Sequence, residues 1–371
     1  MTSFPSLAEA IIEGALARDP VEATYLGDHR RDTELPDPTA EAAGRRAAQV
    51  RSQVAELAAL DLASPDDEVD AAVLRTSLAA ELLELDEIRE AEWNPMIHNP
   101  GNGLHALISR DFAPFEERLG SALGRLAATP AFLAAARARL GEMSRVHLDT
   151  ALGQLAGTIH LLDSEIAPKL DGPAATTAAQ ARDALAAHRD WLAGRAESAT
   201  RDPRLGERLF RAKLALTLDT AFEPQALLAR AEADLERITA QIIEQAGQLA
   251  GTTTADAATV RQVLDDLATD APTDATILGL CRQALTSTTA FVREQDLITV
   301  YDDPVAVVEM AEIDRGVAVA YCRQNGPLEQ TVLPTEFAVS PTPTDWTKDQ
   351  VASFYREYNV HMVQNLTVHE A

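Results

Sequence analysis

Apolar residues recur at spacings of three and four from Phe4 almost to Glu294, and at Asp296 that pattern stops. Few features constrain a chain more. A sustained three-four spacing puts the apolar residues on one face of a helix after another, and each face must be buried against a neighbour. X-Pro pairs cut the run into pieces: Asp19-Pro20, Thr129-Pro130, Gly172-Pro173, Asp202-Pro203, Glu223-Pro224 and Ala271-Pro272, with Pro168 between them. Proline suits the first turn of a helix and disrupts its interior, so each pair marks a start or a stop. Helices are predicted over 4–18, from there to Gly27, over 39–60 and from Ser64 to Glu92. Further helices are expected near 103–110, 114–127, 130–145, 147–168, 174–198, 204–220, 224–250, 256–268 and 274–294. Trp93–Gly103, with three Asn, two Pro and two Gly, is a break.

After Asp296 come short runs rich in β-branched residues: 297–301, 306–311, 316–322, and 330–339 with its internal Pro334. They read as three or four strands, the Pro-bearing one at an edge or irregular. The fold class expected is mainly α, a large multi-helix array with a small antiparallel sheet near 297–340. Its regions are a helical lobe over 1–296 and a sheet-plus-helix region over 297–371. No 34- or 40-residue repeat supports a solenoid.

Composition narrows the function classes. Thirty-two basic against 58 acidic residues leave a formal charge of −26, the opposite of what a nucleic-acid or anionic-membrane surface requires. Neither partner is expected. Cys281 and Cys322 have no metal-type spacing and read as reduced thiols, which together with an N-terminus interrupted by Glu9 and Glu13 gives a cytoplasmic expectation. No 18-residue uncharged apolar window is present, so no membrane span is expected. His147, His160 and His188 lack a second ligand type at suitable spacing and read as core or surface histidines. His98, in the break, reads as a loop histidine capping a carbonyl.

Residues 347–371 hold the remaining chemistry. Thr347 is a plausible N-cap with Asp349 in the first turn. Val351, Phe354, Tyr358, Met362, Asn365 and His369 share one face of a single predicted helix, so Asn365 and His369 are expected to face the interior or a cavity, with Gln350 and Arg356 in solvent. The chain ends Val368-His369-Glu370-Ala371. A His-Glu pair among eight histidines is a weak signal. In H-E-x-x-H two His four apart bind one zinc, and His361, eight residues upstream or about 12 Å along a helix, cannot be the second ligand.

The run Tyr355–Ala371, with Tyr25-Leu-Gly-Asp-His29, Leu35-Pro-Asp37 and Leu205–Leu214, resembles the domain-of-unknown-function family 885. These are large helical bacterial proteins similar in fold to the carboxypeptidase Taq group of zinc metallopeptidases. The resemblance implies a signature His-Glu-Ala-x-Pro-Gly-His, with an acidic ligand further downstream. It makes His369 the first metal ligand and Glu370 the general base that deprotonates zinc-bound water. It also implies zinc and a peptide substrate for complete relatives. Residues 1–371 hold only the first half of the signature, so the expectation is a C-terminally truncated, zincin-like chain that binds no zinc and is inactive alone. Substrate specificity and oligomeric state do not follow. The alternative from another class is a non-catalytic, acidic helical scaffold or binding protein.

Overall fold

The structure is a computed structural model and describes residues 3–220, 223–310, 319–343 and 346–371. Contacts divide it into two compact units: residues 1–222 with 326–331, and residues 223–325 with 332–371. The helices over 224–294 thus group with the strands.

Unit 1 is helical: α1 (Phe4–Arg18), α2 (Pro20–Leu26), α3 (Ala40–Ala58), α4 (Pro65–Leu83), α5 (Gly101–Ser109), α6 (Phe115–Arg139), α7 (Arg145–Leu161), α8 (Gly172–Ala193) and α9 (Glu207–Leu218). Their starts follow from capping chemistry. Asp19, Thr39, Ser64 and Ser144 each accept a hydrogen bond from a backbone amide of the first turn, and Pro20 and Pro65 occupy early positions where no amide is needed. The main core interleaves Leu104 and Leu107 of α5, Leu126 and Leu133 of α6, Leu148 and Leu155 of α7, and Leu185 and Leu192 of α8. A second core joins Phe4, Leu7 and Ile11 to Val50, Leu57 and Leu78.

One expectation needs correcting here. The predicted break at Pro130 does not occur: α6 runs through it. Thr129, Phe132, Leu133 and Ala136 are buried on both sides of the proline, and the Thr129 hydroxyl donates to the Arg125 carbonyl. Burial of that face outweighs the missing amide. Among the described residues α6 is also the one helix long and apolar enough to cross a membrane. Its Arg125 is fully buried against carbonyls of unit 1, as befits a core helix.

Unit 2 contains α10 (Pro224–Ala250), α11 (Ala257–Leu267), α12 (Ile277–Glu294), β1 (Val305–Glu309), β2 (Ala320–Arg323), β3 (Thr335–Val339), α13 (Lys348–Glu357) and α14 (Val360–Glu370). The sheet has the order β1-β3-β2. It is mixed rather than antiparallel: β3 runs parallel to β1 and antiparallel to β2, with Phe337 opposite both Val307 and Cys322. The parallel pair comes from the excursion through β2 between β1 and β3. Pro334 lies just outside β3, and the Thr335 amide donates to the Pro304 carbonyl, so the Pro-bearing segment supplies the central strand. Residues 297–301 form no strand; Leu297, Ile298 and Tyr301 are exposed and pair with no strand among the described residues, and β-branched composition without a partner strand is insufficient. Residues 311 and 316–318 of the expected strands lie outside the described residues. Ile277, Cys281, Val307, Phe337, Val339, Tyr355 and Val363 form the core of this unit.

Candidate functional site

The segment expected to be one helix over 347–371 is two. Thr347 and Gln350 form a reciprocal capping box that starts α13. At Tyr358 the backbone leaves the helix (φ −91°, ψ 51°). Asn359 then caps α14, its side-chain oxygen accepting from the amides of His361 and Met362 at 3.1 Å each. The Val360 amide donates to the Asp270 carbonyl at 2.9 Å.

The break rotates everything beyond it. In α14 the inward face carries buried Val363 and Thr367 with half-buried Leu366 and Glu370, whereas Asn365 and His369 are exposed. The expectation that Asn365 and His369 face inward is therefore corrected: it assumed an unbroken phase. Gln350 and Arg356 are exposed, as expected.

The two predicted site residues stay adjacent but diverge. The Glu370 side chain is 17% exposed and that of His369 82%, with His369 Nε2 4.0 Å from Glu370 Oε1. Glu370 lies beside Cys322 of β2, whose thiol is pushed up by burial and, to a lesser degree, by the Glu370 charge. His361 is exposed on the first turn of α14. Among the described residues no three His, Cys, Asp or Glu side chains are grouped to hold a metal. One exposed imidazole and one neighbouring carboxylate do not fit a catalytic zinc, which takes three protein ligands and a water.

Unit 2 also carries an open cavity of about 660 Å³ between residues 265–274 and α13. Trp346, Val351, Ala352 and Tyr355 form one wall, Ala268 and Pro272 the other, with Lys348 at the rim. Asp274 accepts from the Tyr355 hydroxyl at 2.6 Å and from the Thr342 amide at 2.7 Å. Burial, and then the Asp274 carboxylate, raise the Tyr355 pKa, so the phenol stays protonated. His369 and Glu370 do not line the cavity.

Sequence reasoning missed a buried polar centre in unit 1. His29 places Nδ1 2.9 Å from Asp32 Oδ2 and Nε2 3.0 Å from Glu329 Oε2. Its ring lies flat on Phe112, with centroids 3.7 Å apart. The Thr24 hydroxyl donates to Asp32 at 2.6 Å and accepts from Arg125 at 2.6 Å. His29 belongs to the Tyr25–His29 stretch noted in the sequence, but its partner Glu329 is 300 residues away and no local spacing points to it. His98 donates to the Ala91 carbonyl at 2.8 Å, the cap expected of it. His188 is a core histidine.

A family profile described as "Bacterial protein of unknown function (DUF885)" matches residues 20–371. No functionally curated protein matches the chain. Two solved structures share its fold. One is described as a "putative lipoprotein of unknown function" from Shewanella oneidensis, at 23% identity and a TM-score of 0.75 over 100% of this chain and 70% of that one. The other is described as a "putative lipoprotein" from Colwellia psychrerythraea, at 14% identity and a TM-score of 0.72 over 100% of this chain and 71% of that one.

Proposed function

The chain belongs to the DUF885 family of bacterial proteins of unknown function, and from that premise we propose that it is the helical and sheet-bearing portion of a zinc-peptidase-like protein. In this reading Glu370 and His369 are the general base and first metal ligand of a centre acting on peptides. The other ligands lie outside residues 1–371, and these residues alone do not hydrolyse peptides. The observation that carries the reading is the setting of the pair. It ends a helix packed against a small sheet, on β2, and against α12; zinc peptidases of the kind proposed also carry a small sheet, antiparallel in their case, beside the motif helix, and that likeness supports the reading. Two free cysteines support a reducing, cytoplasmic setting, and the charge of −26 supports partners other than nucleic acid or anionic membrane.

Equilibrium dialysis against trace zinc, with metal analysis and peptide turnover, tests the inactive half of the proposal. The expected result is substoichiometric zinc, no turnover and no change in His369→Ala or Glu370→Gln. Stoichiometric zinc lost in His369→Ala would overturn it. Reading the gene past codon 371 tests the other half. Continuation into x-Pro-Gly-His supports the peptidase-like centre, and a stop codon there removes it.

A second reading, a binding protein without catalysis, is favoured by the cavity beside α13. Its volume of about 660 Å³ falls in the range of small-molecule sites, and its apolar walls with a few polar groups are typical of them.

A further inference from the structure

Residues Gly326–Thr331, in the connection between β2 and β3, pack as part of unit 1 and are fastened there without slack. A Cβ on Gly326 would stand 2.1 Å from the Leu26 carbonyl carbon, and one on Gly27 would stand 2.2 Å from the Glu329 amide nitrogen. Gly27 also holds a φ of 90°, which favours glycine. The Leu328 amide donates to the Leu26 carbonyl at 2.8 Å, and the Thr331 hydroxyl to the Phe112 carbonyl at 3.0 Å. Between these anchors sits His29, stacked on Phe112, with one carboxylate on each ring nitrogen.

That arrangement demands a protonated ring. A neutral imidazole has one N–H and one lone pair, so one of the two carboxylates would face a lone pair at about hydrogen-bond distance. Only the imidazolium donates to both. We propose that His29 is a proton-operated latch: protonated, it holds Gly326–Thr331 against the α2 turn, and on losing its proton it releases that segment at Glu329. Glu329 is the arm that opens: Asp32 keeps a direct bond from Thr24 besides the nearby Arg125 charge, whereas Glu329 keeps the Arg110 charge and a bond from the Thr331 amide that lies within the segment itself. A neutral ring keeping Nδ1–H toward Asp32 turns its lone pair on Glu329.

The charged groups around the ring are few. Asp28, Arg30 and Asp32 come from its own turn, Glu329 from the segment, Arg110 acts on Glu329 and Arg125 acts on Asp32. Burial pushes the His29 pKa down, but the bonds and charges of Asp32 and Glu329 outweigh it, and the net position is above the ordinary 6.5. The latch is therefore fully closed below about pH 6.5 and opens as pH rises through the raised value. Each unit of that rise corresponds to about a tenfold difference in hold.

Hydrogen exchange of peptides spanning 324–334, corrected for intrinsic rate and followed from pH 5.5 to 9, tests this. Wild-type protection should fall in a one-proton step that peptides from α6 do not show. His29→Gln, which carries no titratable ring, should exchange at the high-pH rate throughout. Glu329→Gln removes one of the two supporting carboxylates, so its step should move to lower pH. Wild-type protection flat across the range, the same step surviving in His29→Gln, or an unmoved midpoint in Glu329→Gln would each overturn the latch. Should His29→Gln fail to fold, wild type and Glu329→Gln decide the matter between them.

Discussion

Arg125 is the residue on which unit 1 depends most visibly. It is 0% exposed and donates four hydrogen bonds: Nε to the Glu34 carbonyl at 3.0 Å, Nη1 to the Gly103 carbonyl at 2.6 Å, and Nη2 to the Pro20 carbonyl at 3.1 Å and Thr24 Oγ1 at 2.6 Å. One guanidinium thereby ties α6 to α2, to α5 and to the turn before α3. Bonds from a charged donor contribute roughly 1.5–3 kcal/mol each, a gross gain of about 6–12 kcal/mol. Several kcal/mol of that offsets the dehydration of the buried cation. Arg125→Met keeps most of the volume but leaves buried carbonyls without donors, so the expected loss is about 3–5 kcal/mol. For a unit of this size that is a Tm drop of roughly 6–20 °C. Arg125→Lys should recover less than half, because an ammonium lacks the planar fork that reaches several acceptors at once. The assay is thermal unfolding by tryptophan fluorescence in a Trp346→Phe background, where Trp93 and Trp191 report on unit 1 alone. A loss below about 1 kcal/mol in Arg125→Met, or full recovery by lysine, would refute the reasoning.

Two further outcomes follow from buried titratable groups. His188 is fully buried, accepts from Arg137 Nε at 3.2 Å, and has its pKa lowered to about 4 by burial, with the Arg137 charge adding to it. The fold holds it neutral while the unfolded chain takes up a proton near 6.5. Stability is therefore lost as pH falls from 6.5 toward 4, by about 3 kcal/mol at most. Subtracting the stability-pH curve of His188→Leu from that of wild type should isolate this step, and a flat difference would contradict it. Cys281 is fully buried and its thiol is pushed up to about 11 by burial, so at pH 8 a thiol reagent should leave it unmodified until denaturant is added; labelling of native Cys281 at the rate of a free thiol would count against that burial.

How far the sequence reached can be judged from individual residues. Ser64-Pro65 and Thr347 announce helices α4 and α13 because capping is local: the cap and the amide it satisfies lie within three residues. Pro130 misled because burial on the face of Phe132 and Leu133 is a tertiary quantity that a dipeptide does not contain. The sheet was legible as strand-rich composition, but not its mixed topology, since strand direction depends on how the chain returns. His29 was visible and its chemistry was not, because the group that completes it, Glu329, is brought there by folding. The mainly helical class and the family were legible; the polar centre of unit 1 was not.

The break at Tyr358–Asn359 bears most directly on the His-Glu pair. An unbroken helix would carry the stripe of Val351 and Phe354 on to His369. The new cap at Asn359 instead begins a second stripe, Val363, Leu366, Thr367 and Glu370, spaced by three, one and three on the inward face. Its last member is a carboxylate, where packing alone calls for an apolar side chain. The Glu370 side chain makes no hydrogen bond among the described residues; its ionic neighbour is His369 at 4.0 Å. Its oxygens are not among the buried polar atoms that lack a partner, so water reaches the carboxylate. Val363 and Leu366 are explained by the core they enter, and Thr367 by the bond its hydroxyl donates to the Val363 carbonyl at 2.8 Å. Glu370 stands in the last turn of the helix, where its stem packs inward and its carboxylate keeps water. Of the two residues proposed for the peptidase-like centre, the break thus turns Glu370 to the inward face and His369 outward.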